Sequence, residues 1–159
     1  MNPTESNHAL GVRMQREMSA TPDALFDALV NPDKQRAWLS EAGAEAGHVE
    51  TTVDLRVGGT WESRFHPNPE TEVHDVQTYV EIDRPHRLIT DLVSESIIGG
   101  KQMPTLRSRI DMTFVPTASG ALVTVEQTGF PTAEMRDFFE AVVWPGGLDR
   151  IEASALAAP

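Results

Sequence analysis

Any chemistry on this chain must come from acids, histidines, arginines and aromatic rings, because its 159 residues include no cysteine. That absence removes disulfides, thiolate nucleophiles and thiolate metal sites together. There is also no Gly-x-Ser-x-Gly elbow and no phosphate-binding loop. No catalytic residue is therefore assigned, and the enzyme reading stays open while leaning towards none. His66 and His74, with Glu70 and Glu72 between them, are the nearest thing to a ligand cluster. Their spacing fits no helix-borne zinc motif, and the prolines beside them favour an exposed connection. Neither a metal nor a cofactor is expected. Asp91 or Glu126 would serve as a general base only if buried against apolar walls that raise its pKa. Alternation turns Glu126 away from Val123 and Val125, whereas Asp91 shares a face with Ile89 and Val93 and is the better candidate. Arg56, just before Gly58-Gly59, reads as an anion clamp or as a side chain that fixes a turn, and the turn is favoured. Arg107 and Arg109 read as solvated partners of acids across a sheet.

The elements that must position these groups follow from local signals. Leu10, Val12, Met14 and Met18 alternate with polar neighbours as in a half-buried strand, a parity that Arg16 interrupts. Thr21-Pro22-Asp23 starts a helix with a capping hydroxyl, a proline in the first turn and an acid near the positive dipole end. Asn31-Pro32-Asp33 repeats that signal and leads to Trp38. Ser40 to Gly47 reads as a loop and a candidate mobile segment. From Val49 onward strands are expected at 49–55, 60–66, 73–82, 87–93, 105–115 and 121–128. Turns fall at Gly58-Gly59 and Asp83–His86, and a loop spans Ser94 to Pro104, carrying Ile97, Ile98 and Met103. Pro131-Thr132 opens a helix through Val143. Proline lacks an amide hydrogen and clashes with the carbonyl four residues back, so the chain is predicted to break there and restart at Pro145. Leu148, Ile151 and Leu156 of that last helix are expected to pack on the sheet.

Five stretches stand in an order that resembles a known family. They are Ala20–Pro32 followed by Trp38; Asp54-Leu55-Arg56-Val57-Gly58-Gly59-Thr60-Trp61; Tyr79–Leu88; Gln127-Thr128-Gly129-Phe130-Pro131; and Trp144-Pro145-Gly146-Gly147-Leu148-Asp149. The chain is similar, from about Val12 to Leu156, to the SRPBCC (START-like) proteins related to the activator of the heat-shock chaperone ATPase, the AHSA-type family. Two positions depart from it: the family usually has a glycine near Gln77 and no proline after its closing tryptophan. The resemblance implies an α+β, helix-grip fold: a curved antiparallel β-sheet wrapped around a C-terminal helix, with two short N-terminal helices. It is expected as a single domain over 9–157, after a disordered N-terminus at 1–8.

The same resemblance implies a cavity between sheet and C-terminal helix that holds a small apolar or aromatic molecule in many relatives. Strand parity then suggests its lining. Trp61, Ser63 and Phe65 share one face, as do Leu106, Ser108, Ile110, Met112 and Phe114, and Val123, Val125 and Gln127 follow on the last strand. The candidates are Trp38, Trp61, Phe65, Tyr79, Met112, Phe114, Gln127, Phe138 and Trp144. These side chains either line a pocket or fill the interior. Function reads first as a binding protein for such a molecule. A protein-interaction or chaperone-linked regulatory module, or an enzyme of the cyclase or hydrolase type on the same fold, are the alternatives.

Charge and composition narrow the partners. The 24 acidic and 13 basic residues give a formal charge of −11, whose field repels phosphate backbones and anionic headgroups. Nucleic acid is not expected. No segment approaches the roughly 20 apolar residues of a membrane span. The first residues lack the basic start and apolar run of a signal peptide, so a cytoplasmic protein of bacterial type is the default. Homodimerisation through a sheet edge or helix face is left open.

Overall fold

The computed structural model describes residues 10–39 and 48–157, so the expectations for the N-terminus and for the Ser40–Gly47 loop lie outside the described residues. The order is β1 (Val12–Met18), α1 (Pro22–Val30), α2 (Pro32–Trp38), β2 (Glu50–Val53), β3 (Thr60–Asn68), β4 (Thr71–Asp83) and β5 (Arg87–Ile98). Then come β6 (Lys101–Gln102), β7 (Leu106–Pro116), β8 (Ala121–Thr128), α3 (Ala133–Phe138), a π-helical segment (Phe139–Val143) and α4 (Trp144–Leu156). Every strand pairing is antiparallel, in the order β1-β8-β7-β5-β4-β3-β2, with β6 paired to β5. The later strands thus form a meander, and β1 closes onto its end beside β8.

Both N-terminal helices start where their caps say. Thr21 Oγ1 accepts the Ala24 amide at 3.2 Å, and Asn31 Oδ1 accepts the Asp33 amide at 3.0 Å. Each side chain satisfies an amide that the first helical turn leaves without a carbonyl. The apolar stripe of α1 is buried, and Phe26 meets Phe114 of β7 edge to face at 6.2 Å. The double glycine has a definite task. Gly58, at φ +85°, donates to the Tyr79 carbonyl at 2.9 Å, and Tyr79 donates to the Gly59 carbonyl at 3.0 Å. A Cβ on Gly59 would lie 2.3 Å from the Asp54 carbonyl oxygen, so only glycine lets the turn fold onto β4. Arg56 donates to Asp54 at 2.9 Å across the same turn, the structural role expected of it.

Two expectations are corrected. The proposed Ser94–Pro104 loop is largely strand: β5 runs to Ile98, turns at Gly99-Gly100 and returns as β6. Both glycines have positive φ, which makes a hairpin, and Ile97 pairs across it with Gln102. The predicted break before Pro145 is also absent. Val143 and Trp144 both keep helical dihedrals, and the Trp144 amide donates to the Phe139 carbonyl five residues back. This wider π turn draws the preceding carbonyls out of register just where the proline ring would collide with one, so the helix continues. Leu148 and Ile151 of α4 are buried as expected, whereas Leu156, at the helix's last position, is exposed.

Candidate ligand cavity

The alternation expected of the strands holds. Trp61 and Ser63 of β3, Met112 and Phe114 of β7, and Val123, Val125 and Gln127 of β8 are all buried on the face that α1 and α4 cover. Between that face and α4 lies a cavity of about 150 Å3. Trp61 and Phe65 line it from β3, Leu88 and Thr90 from β5, and Ile110 and Met112 from β7. Leu29 of α1 and Trp38 of α2 close one end, and Val143, Trp144, Gly147, Arg150 and Ile151 form the helical wall.

The aromatic wall is held rigidly by its own polar tips. Trp38 donates to the Ala28 carbonyl at 2.7 Å and packs edge to face on Trp61, with ring centroids 5.9 Å apart. Trp61 donates to Thr51 Oγ1 at 3.0 Å; that hydroxyl donates to Gln35 Oε1, and Gln35 Nε2 donates to the Leu29 carbonyl at 2.7 Å. Trp144 donates to Gln127 Oε1 at 2.8 Å. All three indole N–H groups are thus spent inside the protein, so the tryptophans offer a ligand only their ring faces and edges.

Five of the nine sequence candidates border the cavity: Trp38, Trp61, Phe65, Met112 and Trp144. Four do not. Tyr79 and Phe114 are 1% exposed and fill the interior beside the cavity, and Gln127 lies behind Trp144 as its acceptor. Phe138 faces outward at 54% exposure, on a short helix that buries none of its residues.

The polar members of the lining were missed. Thr90 donates to Gln77 Oε1 at 2.6 Å, a closed pair. Arg150 donates through Nε to the Trp38 carbonyl at 3.0 Å, tying α4 to the end of α2. Asp75 is different. Its Oδ1 is sealed from solvent and has no hydrogen-bond partner among the described residues. Burial pushes its carboxyl up to about 6, against the opposing effects of a Ser94 hydrogen bond and of His74. The signal was available: Asp75 and Gln77 precede Tyr79 by four and two residues on one strand, so a Tyr79 placed inward carries both inward.

Asp91, the favoured acid of the sequence reading, stands on the opposite face. It is exposed and takes two hydrogen bonds from Arg109, at 2.7 and 3.0 Å, which hold its carboxyl below the usual carboxylate range. Glu126 is likewise exposed, paired with Arg13 at 3.0 Å. A larger, open groove of about 380 Å3 crosses the far end of the sheet, lined by His48, Glu50, Arg64, His66, Glu72 and His74 among others. Two of its histidines are paired: His48 meets Glu50 at 3.1 Å, and His74 meets Glu62, outside the lining, at 2.6 Å. Among the described residues no three histidines, cysteines or carboxylates are placed to share a metal.

An antiparallel sheet curved around a C-terminal helix, with a lined cavity between them, defines the helix-grip class of domain. The family model described as "Activator of Hsp90 ATPase homolog 1-like protein" matches residues 19–155, and the chain belongs to that family. Solved structures agree on the fold. Protein CV1439 from Chromobacterium violaceum is 20% identical, with a TM-score of 0.65 over 90% of this chain and 95% of that one. Protein NE0264 from Nitrosomonas europaea is 18% identical with a TM-score of 0.69 over 93% and 95%. Protein Ms6760 from Mycobacterium smegmatis is 19% identical with a TM-score of 0.67 over 96% and 94%. A comparison of the sequence with curated proteins finds no match. Among the described residues no helix is long and apolar enough to cross a membrane.

Proposed function

We propose that this chain is a cytoplasmic binding protein that holds one small apolar or aromatic molecule between its sheet and its C-terminal helix. Family and fold are those of ligand-binding or regulatory domains, and the cavity is the observation that favours ligand binding. Its walls are mostly aromatic and aliphatic, and the few polar groups among them are fixed in place, as in sites that orient small molecules. The volume of about 150 Å3 limits the occupant. A cavity of that size holds about one aromatic ring.

A convenient reporter is built in. The chain has three tryptophans, and all three line the cavity. Titration with single-ring compounds such as toluene should change the intrinsic fluorescence saturably and raise the melting temperature, because a ligand bound only to the folded state stabilises it. An unchanged melting temperature and emission with every single-ring compound tested at millimolar concentration would overturn the reading.

A further inference from the structure

Resting on the reading of the cavity as a ligand site, we propose that its occupant is an organic ammonium ion: a single apolar or aromatic ring bearing a protonated amine, held by Asp75. Three observations converge on that chemistry. Asp75 lines the cavity from β4, and its Oδ1, sealed from solvent, has no partner among the described residues. Buried carboxylate oxygens are normally hydrogen-bonded, and one left alone inside a cavity is the acceptor its ligand must satisfy. Among the apolar side chains of the remaining wall are the rings of Phe65 and of the tryptophans Trp38, Trp61 and Trp144. The three indole N–H groups are already bonded to protein oxygens, leaving electron-rich ring faces, which attract a cation placed over them. Finally, the formal charge of −11 favours the approach of a cation over that of an anion.

Two cationic side chains need placing beside this carboxyl. His74 is its chain neighbour, but its ring points to the other face and is bonded to Glu62. Arg150 reaches the cavity from α4 with its Nε bound to the Trp38 carbonyl. Neither is hydrogen-bonded to Asp75 Oδ1, so that position is left for the ligand. The neighbouring Gln77 and Thr90 bond each other and do not compete for it.

The experiment compares three near-isosteric probes, benzylamine, benzyl alcohol and toluene, by tryptophan fluorescence at pH 8 on the wild-type chain and on Asp75→Asn. Benzylamine should bind at least about tenfold more tightly than toluene, the value of one charge-assisted hydrogen bond. In Asp75→Asn that preference, read as the ratio of benzylamine to toluene affinity on the same variant, should fall to within about twofold of one. A second measurement avoids the variant. Between pH 8 and pH 5 the wild-type preference for benzylamine should shrink as Asp75 takes up its proton, with toluene binding unchanged and with the same shrinkage in His74→Gln. Equal affinities for benzylamine and toluene, a preference that survives Asp75→Asn, or a pH effect that disappears in His74→Gln would each overturn the proposal. Benzyl alcohol binding as tightly as benzylamine would overturn the requirement for charge. Toluene binding without amine preference would leave the cavity as a ligand site and remove only the ammonium; silence towards all three probes would remove both.

Discussion

Asp75 and Asp91 sit on neighbouring strands of one sheet, on opposite faces, and their environments push them in opposite directions. On the inner face Asp75 is desolvated with an unpartnered oxygen, and its pKa is raised to about 6. On the outer face Asp91 is gripped by Arg109 in water, and its pKa is lowered. The outer acid stabilises the fold slightly. The inner one costs stability at neutral pH, where it must carry a charge away from water. The face that carries such a cost is where a ligand-binding role is to be sought.

The largest test of this contrast removes an inner aromatic. Trp61→Ala deletes the partner of Trp38 and takes from the Thr51 hydroxyl the donor it accepts, and it should destabilise the domain by about 3–5 kcal/mol in urea unfolding. A loss under 1 kcal/mol would mean that the inner wall is not tightly packed.

Next comes Asp75→Asn. A carboxyl whose folded pKa lies above its unfolded value favours the folded state at low pH, and that advantage is lost as pH rises through about 6. Wild-type stability should therefore fall between about pH 4 and pH 6 by up to about 3 kcal/mol from this group, and the variant should lack that slope. The same urea series on Asp91→Asn should show no such gain at pH 8. A variant at position 75 no more stable than wild type at pH 8 would contradict the desolvation argument.

A smaller effect concerns the helical wall. Val143, Trp144 and Gly147 border the cavity just where the π turn meets Pro145. Ligand at about ten times its Kd should slow hydrogen exchange of the amides at Trp144 and 146–148 about tenfold. Protection elsewhere but not here would show that this joint does not respond to the occupant.

The smallest effect belongs to the outer face. Arg109→Ala removes an exposed ion pair and should cost under about 1 kcal/mol, less still in high salt. A larger, salt-insensitive loss would erase the distinction between the faces.

Much of this molecule was legible in its residue order. Thr21 and Asn31 capped their helices because the hydrogen bonds involved span two or three residues. The inward sets of β3, β7 and β8 followed from a period of two, which needs no knowledge of the partner strand. Gly58-Gly59 marked its turn because the first glycine has a positive φ and a side chain on the second would collide with the Asp54 carbonyl.

What remained could be decided only by elements far apart in sequence. Parity placed Phe114 and Met112 inward alike, yet Phe26 of α1 covers the first while the second borders open volume. Arg16 seemed to spoil the parity of β1, but an acid 133 residues away, Asp149 on α4, meets it. Pro145 spoke for a broken helix by a local rule, and a π turn upstream removed the clash that the rule assumes. The sequence by itself determined most of the helices and strands, the inward faces of β3, β7 and β8, and the family, because those rest on short-range sterics and alternation. Only the tertiary structure decided which inward side chains fill the core and which bound a cavity, and that Asp75 rather than Asp91 is the desolvated acid, because voids and dielectric surroundings arise from how distant elements pack.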